Sequence, residues 1–164
     1  MPATPFHFGL GLLLKGAAPK RVSLAAFVLT NVVIDVESVM NLMTGRTPVH
    51  ATLHTFVVAP VLGLVVGAVV HALARFWKRR GYETAVGPAL TGGWLGGFTH
   101  VLLDGIMHRD IRPFWPFTEA NPLLRLVDLQ TLHLVCVATW AIGLGWIAAR
   151  YARRDRTNTA ERAR

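Results

Sequence analysis

Four stretches of the chain, residues 22–43, 56–77, 86–108 and 129–149, are apolar over about twenty residues each, the length an α-helix needs to cross the roughly 30 Å hydrocarbon core of a bilayer. A shorter apolar run, residues 6–14, precedes them. In lipid every backbone amide must be satisfied within the protein, so spanning runs of this kind fold as helices. The expected fold is all-α: an integral membrane helical bundle of four long transmembrane helices plus a short N-terminal membrane-inserted helix. Composition agrees, with 52% hydrophobic and 16% charged residues against about 25% charged in ordinary soluble domains. No internal repeat is visible. Residues 1–152 read as a single membrane-embedded domain, and residues 153–164, "RRDRTNTAERAR", as a polar, disordered cytoplasmic tail.

The net charge of +8 could suggest a nucleic-acid partner, but its distribution argues against one. The basic residues gather at Lys15, Lys20 and Arg21, at Arg75, Lys78, Arg79 and Arg80, and from Arg150 onward. By the positive-inside rule these clusters face the cytoplasm, and attraction to anionic headgroups adds to that bias. The expected setting is the bacterial inner (cytoplasmic) membrane, multi-pass, with a cytoplasmic C-terminus and membrane lipid as partner. Loops 44–55 and 109–128 then lie on the outer face. The run 6–14 has no basic residue ahead of it, and Lys15 follows it instead, so it reads as retained rather than as a cleaved signal. It either lies on the cytoplasmic surface or enters from outside. The single cysteine, Cys136, excludes an internal disulfide and a thiolate metal cluster.

The stretch "THVLLDGIMHRD" then poses a question, because it ends an apolar run yet holds two histidines and two aspartates. His100, Asp104 and His108 recur at four-residue spacing and would form a polar ladder along one helical stripe. Asp35 and Glu37 fall in the outer half of the first long run, and His50 and His54 in the outer loop. His7 joins them if the short helix enters from outside. An ionisable side chain at mid-bilayer costs about 2.5–3.5 kcal/mol even on the lenient scale. A divalent ion offsets that cost, since neutral imidazoles and carboxylates bind Zn, Mn or Fe(II) directly. His100 with Asp104 has the i, i+4 spacing that lets two side chains reach one ion from adjacent helical turns, and His50 with His54 repeats it. The candidate metal ligands are His7, Asp35, Glu37, His50, His54, His100, Asp104 and His108, for one or two ions. A structural polar network and a proton path are the competing readings. His71 and His133 read as packing residues.

The linker "RPFWPFTEANPLLR" has too many prolines for a long helix, and its aromatics suit a membrane interface or a lid over a lipid-like substrate. Glu37 or Asp104 would act as general base, and Arg46, Arg109 and Arg112 would clamp a phosphate, which arginine pairs with bidentately. Trp115 would contact the substrate. The expected activity is metal-dependent hydrolysis of a lipid ester, foremost a phosphoester. The alternative is a non-enzymatic metal carrier or assembly factor. "DGIMHRD" is only superficially similar to the start of the CDP-alcohol phosphotransferase motif, whose downstream part is missing. The Ser-Gly-His loop of histidine lipid phosphatases and the HExxH motif are absent as well.

His7 in "TPFHFG", Asp35 and Glu37 in "VIDVES", Arg46 and His50 in "GRTPVHA", His100 and Asp104 in "THVLLD", and "FWPF" together resemble a family. It is the bacterial inner-membrane metal-dependent hydrolase family, the group that includes the LexA-regulated membrane hydrolase. The resemblance covers about residues 5–117. It implies metal binding more than any substrate. Gly45 stands where the family's loop has a first His, Glu37 replaces an Asp, His54 is extra, and His108 with Asp110 occupies a stretch usually of Thr and Gly type. The chain is thus similar to a divergent branch with a rearranged ligand set.

Overall fold

The computed structural model describes residues 5–77 and 85–162, so Lys78, Arg79 and Arg80 lie outside the described residues. Five α-helices follow one another: α1 (Pro5–Ala17), α2 (Leu24–Thr44), α3 (Val58–Phe76), α4 (Val86–Met107) and α5 (Leu129–Arg162). A 3-10 turn, Thr52–His54, sits between α2 and α3. No strand occurs among the described residues. Local chemistry sets the helix ends. Ser23 caps α2 by accepting the Ala26 amide at 3.4 Å, and α2 stops at Gly45, whose φ of 67° is a left-handed conformation glycine adopts without penalty. Asp128 accepts the Thr131 amide at 2.9 Å at the start of α5, which then continues as helix through Arg162.

Three helices are long and apolar enough to cross a membrane: α2, α3 and the stretch Leu129–Thr157 of α5. The expected fourth, α4, is not among them. It is long, but glycines, His100 and Asp104 dilute its apolar content. Half of its residues are buried, packed against α3 and α2 and touched by α1. What counted as an apolar span in the sequence is a half-buried helix packed between α2 and α3. The short α1 lies along α5, and its His7 end reaches α4.

Glycine makes this close packing possible. Gly63 on α3 and Gly93 on α4 meet backbone to backbone, and a Cβ on either would collide with the other's carbonyl. Small residues of this kind let helices approach closely where no hydrophobic effect drives them together. Gly93→Leu is accordingly expected to force α3 from α4, destabilising the fold by about 1–3 kcal/mol or more. Thermal unfolding in detergent reads this directly, and an unchanged melting temperature would refute the close packing.

Exposure is inverted relative to a soluble protein. Val32, Val36 and Val39 on α2, Val61, Val65 and Val69 on α3, and Leu134, Val137 and Leu144 on α5 are exposed, whereas His7, Asn31, His54 and His100 are buried. A small apolar core of Ile34, Ala59, Val101 and Ile111 supports the polar cluster, with Leu53, Phe56 and Leu62 packed on it.

Candidate metal centre

Two groups of side chains have metal-binding proximity. Asp35, His54, His100 and Asp104 form one, and His50, Asp104 and His108 the other; within each, one potential ligand atom per residue lies within 4.8 Å of the rest. α2 supplies Asp35, α4 supplies His100 and Asp104, and the loop before α3 supplies His50 and His54. The convergence expected from the sequence is therefore present.

The two oxygens of Asp104 face different neighbours. Oδ2 lies 3.2 Å from His100 Nε2 and 3.6 Å from His54 Nε2. Oδ1 lies 3.0 Å from His7 Nε2 and 3.9 Å from His108 Nε2. Asp35 Oδ1 closes the first group at 3.3 Å from His100 Nε2 and 3.7 Å from His54 Nε2. His7 stacks on His100 with ring centroids 4.6 Å apart, and His50 stacks on His108 at 4.1 Å. His7 belongs to neither metal-capable group. It donates from Nε2 to Asp104, while its buried Nδ1 has no hydrogen-bond partner among the described residues.

The orientation of the rings follows from polar residues behind them. Asn31 donates its amide N–H to the Phe27 carbonyl at 2.8 Å, and since that carbonyl can only accept, Asn31 Oδ1 must face His100 Nδ1, 2.9 Å away. His100 therefore carries its proton on Nδ1, and in the neutral ring the inward Nε2 presents a lone pair. Asp110 does the same for His50, its two oxygens lying 2.9 and 3.0 Å from Nδ1, while Oδ2 also accepts the Val49 and His50 amides. Partners of this type fix the tautomer and aim of a metal-ligating histidine. Glu37 lies 3.5 Å from His54 Nδ1 without a hydrogen bond between them, so this ring is not fixed in the way that His100 and His50 are. Burial opposes the ionisation of Asp110, but the His50 backbone amide and imidazole outweigh it and hold the carboxyl below its usual range. Burial also holds His108 below the usual imidazole range, which favours the neutral, ligating form.

Several expectations change in detail. His108 is not on the helical ladder: α4 ends at Met107, and His108 is an extended cap residue (ψ 137°) whose ring turns back toward Asp104. His50 and His54 are not one helical turn apart either, since only His54 lies in the 3-10 turn; their rings still meet edge to face at 4.9 Å. Glu37, expected as ligand or base, stands outside both metal-capable groups. It uses its oxygens to accept the Thr52 and Leu53 amides at 3.1 and 2.7 Å, which ties down the loop carrying His54. Arg46 and Arg109 are exposed, and no described contact links them to the cluster. Arg112 and Trp115 do line a cavity of about 180 Å³ with His50, Thr52 and Thr55, and Arg112 pairs with Glu119 at 2.8 Å.

Asn31, Ser38 and Asp110 were not among the expected site residues. Ser38 Oγ lies 3.3 Å from His54 Nε2. Asn31 and Ser38 had a signal, as polar residues inside an apolar run on the helix that carries Asp35. Removing the Asn31 amide in Asn31→Ala leaves the His100 Nδ1–H unpaired and the ring free to turn. Metal affinity is expected to fall about 10–100-fold, the usual effect of losing such a partner, with helicity retained. Titration of metal into chelator-stripped protein measures this, and unchanged affinity would remove Asn31 from the site.

Fold and site together define a class: a protein all-helical over its described residues, with three helices long and apolar enough to span a membrane and a buried histidine–aspartate cluster that could hold a metal ion. Comparison of the chain with protein-family models, curated proteins and solved structures returns no match.

Proposed function

We propose that the chain is a membrane-bound metal-dependent hydrolase of a lipid ester, foremost a phosphoester, related to the inner-membrane hydrolase family that its motifs resemble. The observation that carries this reading is the first ligand group. Two carboxylate oxygens and two imidazole nitrogens, His54 Nε2 and His100 Nε2 at 3.4 Å from each other, converge on one point, and with both rings neutral and protonated on Nδ1 all four would offer lone pairs to it. Such an arrangement calls for a cation, and Zn, Mn or Fe(II) suits nitrogen and oxygen donors. Asp104 belongs to both groups, so it would serve as a ligand whichever of them holds the ion.

A bound divalent ion supplies Lewis acidity and lowers the pKa of water toward about 7. The chain's own residues do the rest. Asn31 and Asp110 hold the His100 and His50 imidazoles in ligating orientation, and Glu37 ties down the loop that carries His54. Asp35, with a side chain 23% exposed against 4% for Asp104, is the ligand carboxylate best placed to take a proton from water. The cavity beside His50 admits the headgroup. Arg112 at its rim exchanges Glu119 for the substrate phosphate, and Trp115, 42% exposed, contacts the apolar part of the lipid. Arg46 and Arg109 have no support as clamps in the described contacts and drop out of this reading. The basic clusters favour a bacterial inner-membrane location with the metal centre outward and the C-terminus in the cytoplasm. Incubation of purified protein with total lipid extract, followed by mass spectrometry of released headgroups, tests the activity without a prior choice of substrate.

A further inference from the structure

At the end of the bundle away from the histidines, where α1 stops and α5 runs on, lies a cavity of about 380 Å³. Lys15, Lys20, Arg150 and Arg154 surround it, with Ile147 and Tyr151 on its apolar side. Among the described residues, none that lines it is acidic. Lys15 donates to the Pro19 and Val22 carbonyls at 2.6 and 3.0 Å. Two of its three ammonium protons are thus fixed in place, and the positive charge is pinned at the cavity wall. Arg150 and Arg154 are one turn apart on the same helix face, a spacing at which like charges repel. With Lys15 fixed at the wall and Lys20, Arg150 and Arg154 exposed around the hollow, an anion in it would offset the repulsion among four cations.

Its surroundings indicate which anion. Leu144, Ile147 and Tyr151 recur at i, i+3 and i+7, so they form one stripe on α5 leading from the span to the cavity. Leu144 and Tyr151 are exposed on that stripe, and tyrosine suits the boundary between lipid and water. An acyl chain can lie along this stripe while a phosphate sits among the cations. Basic hollows between helices on the cytoplasmic side are where anionic headgroups bind, and the cavity lies on the face that the basic clusters assign to the cytoplasm.

We propose that this cavity is a binding site for the phosphate headgroup of an anionic phospholipid of that leaflet, separate from the metal centre and independent of its function. The test titrates the detergent-purified full chain with short-chain phosphatidylglycerol, short-chain phosphatidylcholine or inorganic phosphate, and follows retention by native mass spectrometry. Phosphatidylglycerol should be retained in preference to phosphatidylcholine, and inorganic phosphate at equal concentration should not displace it. The double variant Arg150→Gln/Arg154→Gln should weaken retention on the order of tenfold. Arg153→Gln/Arg156→Gln removes the same charge at exposed positions outside the cavity and should leave retention unchanged. Melting temperature confirms that both variants fold. Equal loss in the two double variants would overturn the site in favour of diffuse surface attraction. No preference over phosphatidylcholine would overturn it too, and displacement by inorganic phosphate would assign the cavity to a soluble anion.

Discussion

Asp104→Asn is expected to strip the protein of its metal. The substitution keeps the shape of the side chain and removes one charge, but it replaces a ligand oxygen with an amide nitrogen that donates. Asp104 sits between His100, His54, His7 and His108, at 3.2, 3.6, 3.0 and 3.9 Å, so either orientation of the amide disturbs one of the two ligand groups. Loss of a residue behind a ligand costs about 10–100-fold in affinity, and loss of a carboxylate common to both candidate groups should exceed that. Metal content should fall from near-stoichiometric to near zero. The stability contributed by the ion should go with it, about 2.7 kcal/mol where free metal stands at 100 times its dissociation constant. His71→Ala and His133→Ala remove histidines outside both ligand groups and should leave metal content unchanged. Elemental analysis of the three variants decides the matter, and equal metal in all of them would exclude Asp104 as a ligand.

The second large effect concerns catalysis. Wild-type protein loaded with metal should release headgroups from a lipid extract, and Asp104→Asn should release none above background. Water-soluble analogues lacking acyl chains should react poorly, in turnover as well as in affinity, because binding energy from the remote chain serves to orient the reacting phosphoester. Trp115 and the exposed Phe117 on the linker are the groups such a chain would meet. Equal product from wild type and Asp104→Asn, or none from either when metal is bound, would leave a metal carrier or assembly factor as the better account.

The helices were legible because spanning runs are long and uniform: α2, α3 and the start of α5 lie within a few residues of the expected apolar stretches. The close packing of α4 on α3 was not legible. A count of apolar residues treats glycine as neutral, whereas Gly93 decides that this helix packs backbone to backbone on α3. That Asp35, His50, His54, His100, Asp104 and His108 would lie close together was legible, since ionisable groups in an apolar chain are costly and need one another. Roles were harder. Glu37 has the same chemistry whether it binds an ion or two loop amides, and only the path of the chain from Gly45 to Thr55 turns those amides toward it. His108 kept its place near Asp104 although the helix ended before it, because the extended cap turns its ring back. Asp110, one residue past a basic pair in sequence, orients His50 through a contact 60 residues apart, which no local spacing encodes.

The central claim is that the buried histidines and aspartates hold a divalent ion, and the most direct measurement is elemental analysis of wild-type protein purified in detergent without added metal, paired with thermal unfolding before and after chelation. The account predicts about one or two equivalents of Zn, Mn or Fe and a melting temperature that falls on chelation and recovers when the metal is restored. Metal-free protein whose unfolding ignores both chelator and added metal would contradict it, and would make the cluster a structural hydrogen-bond network.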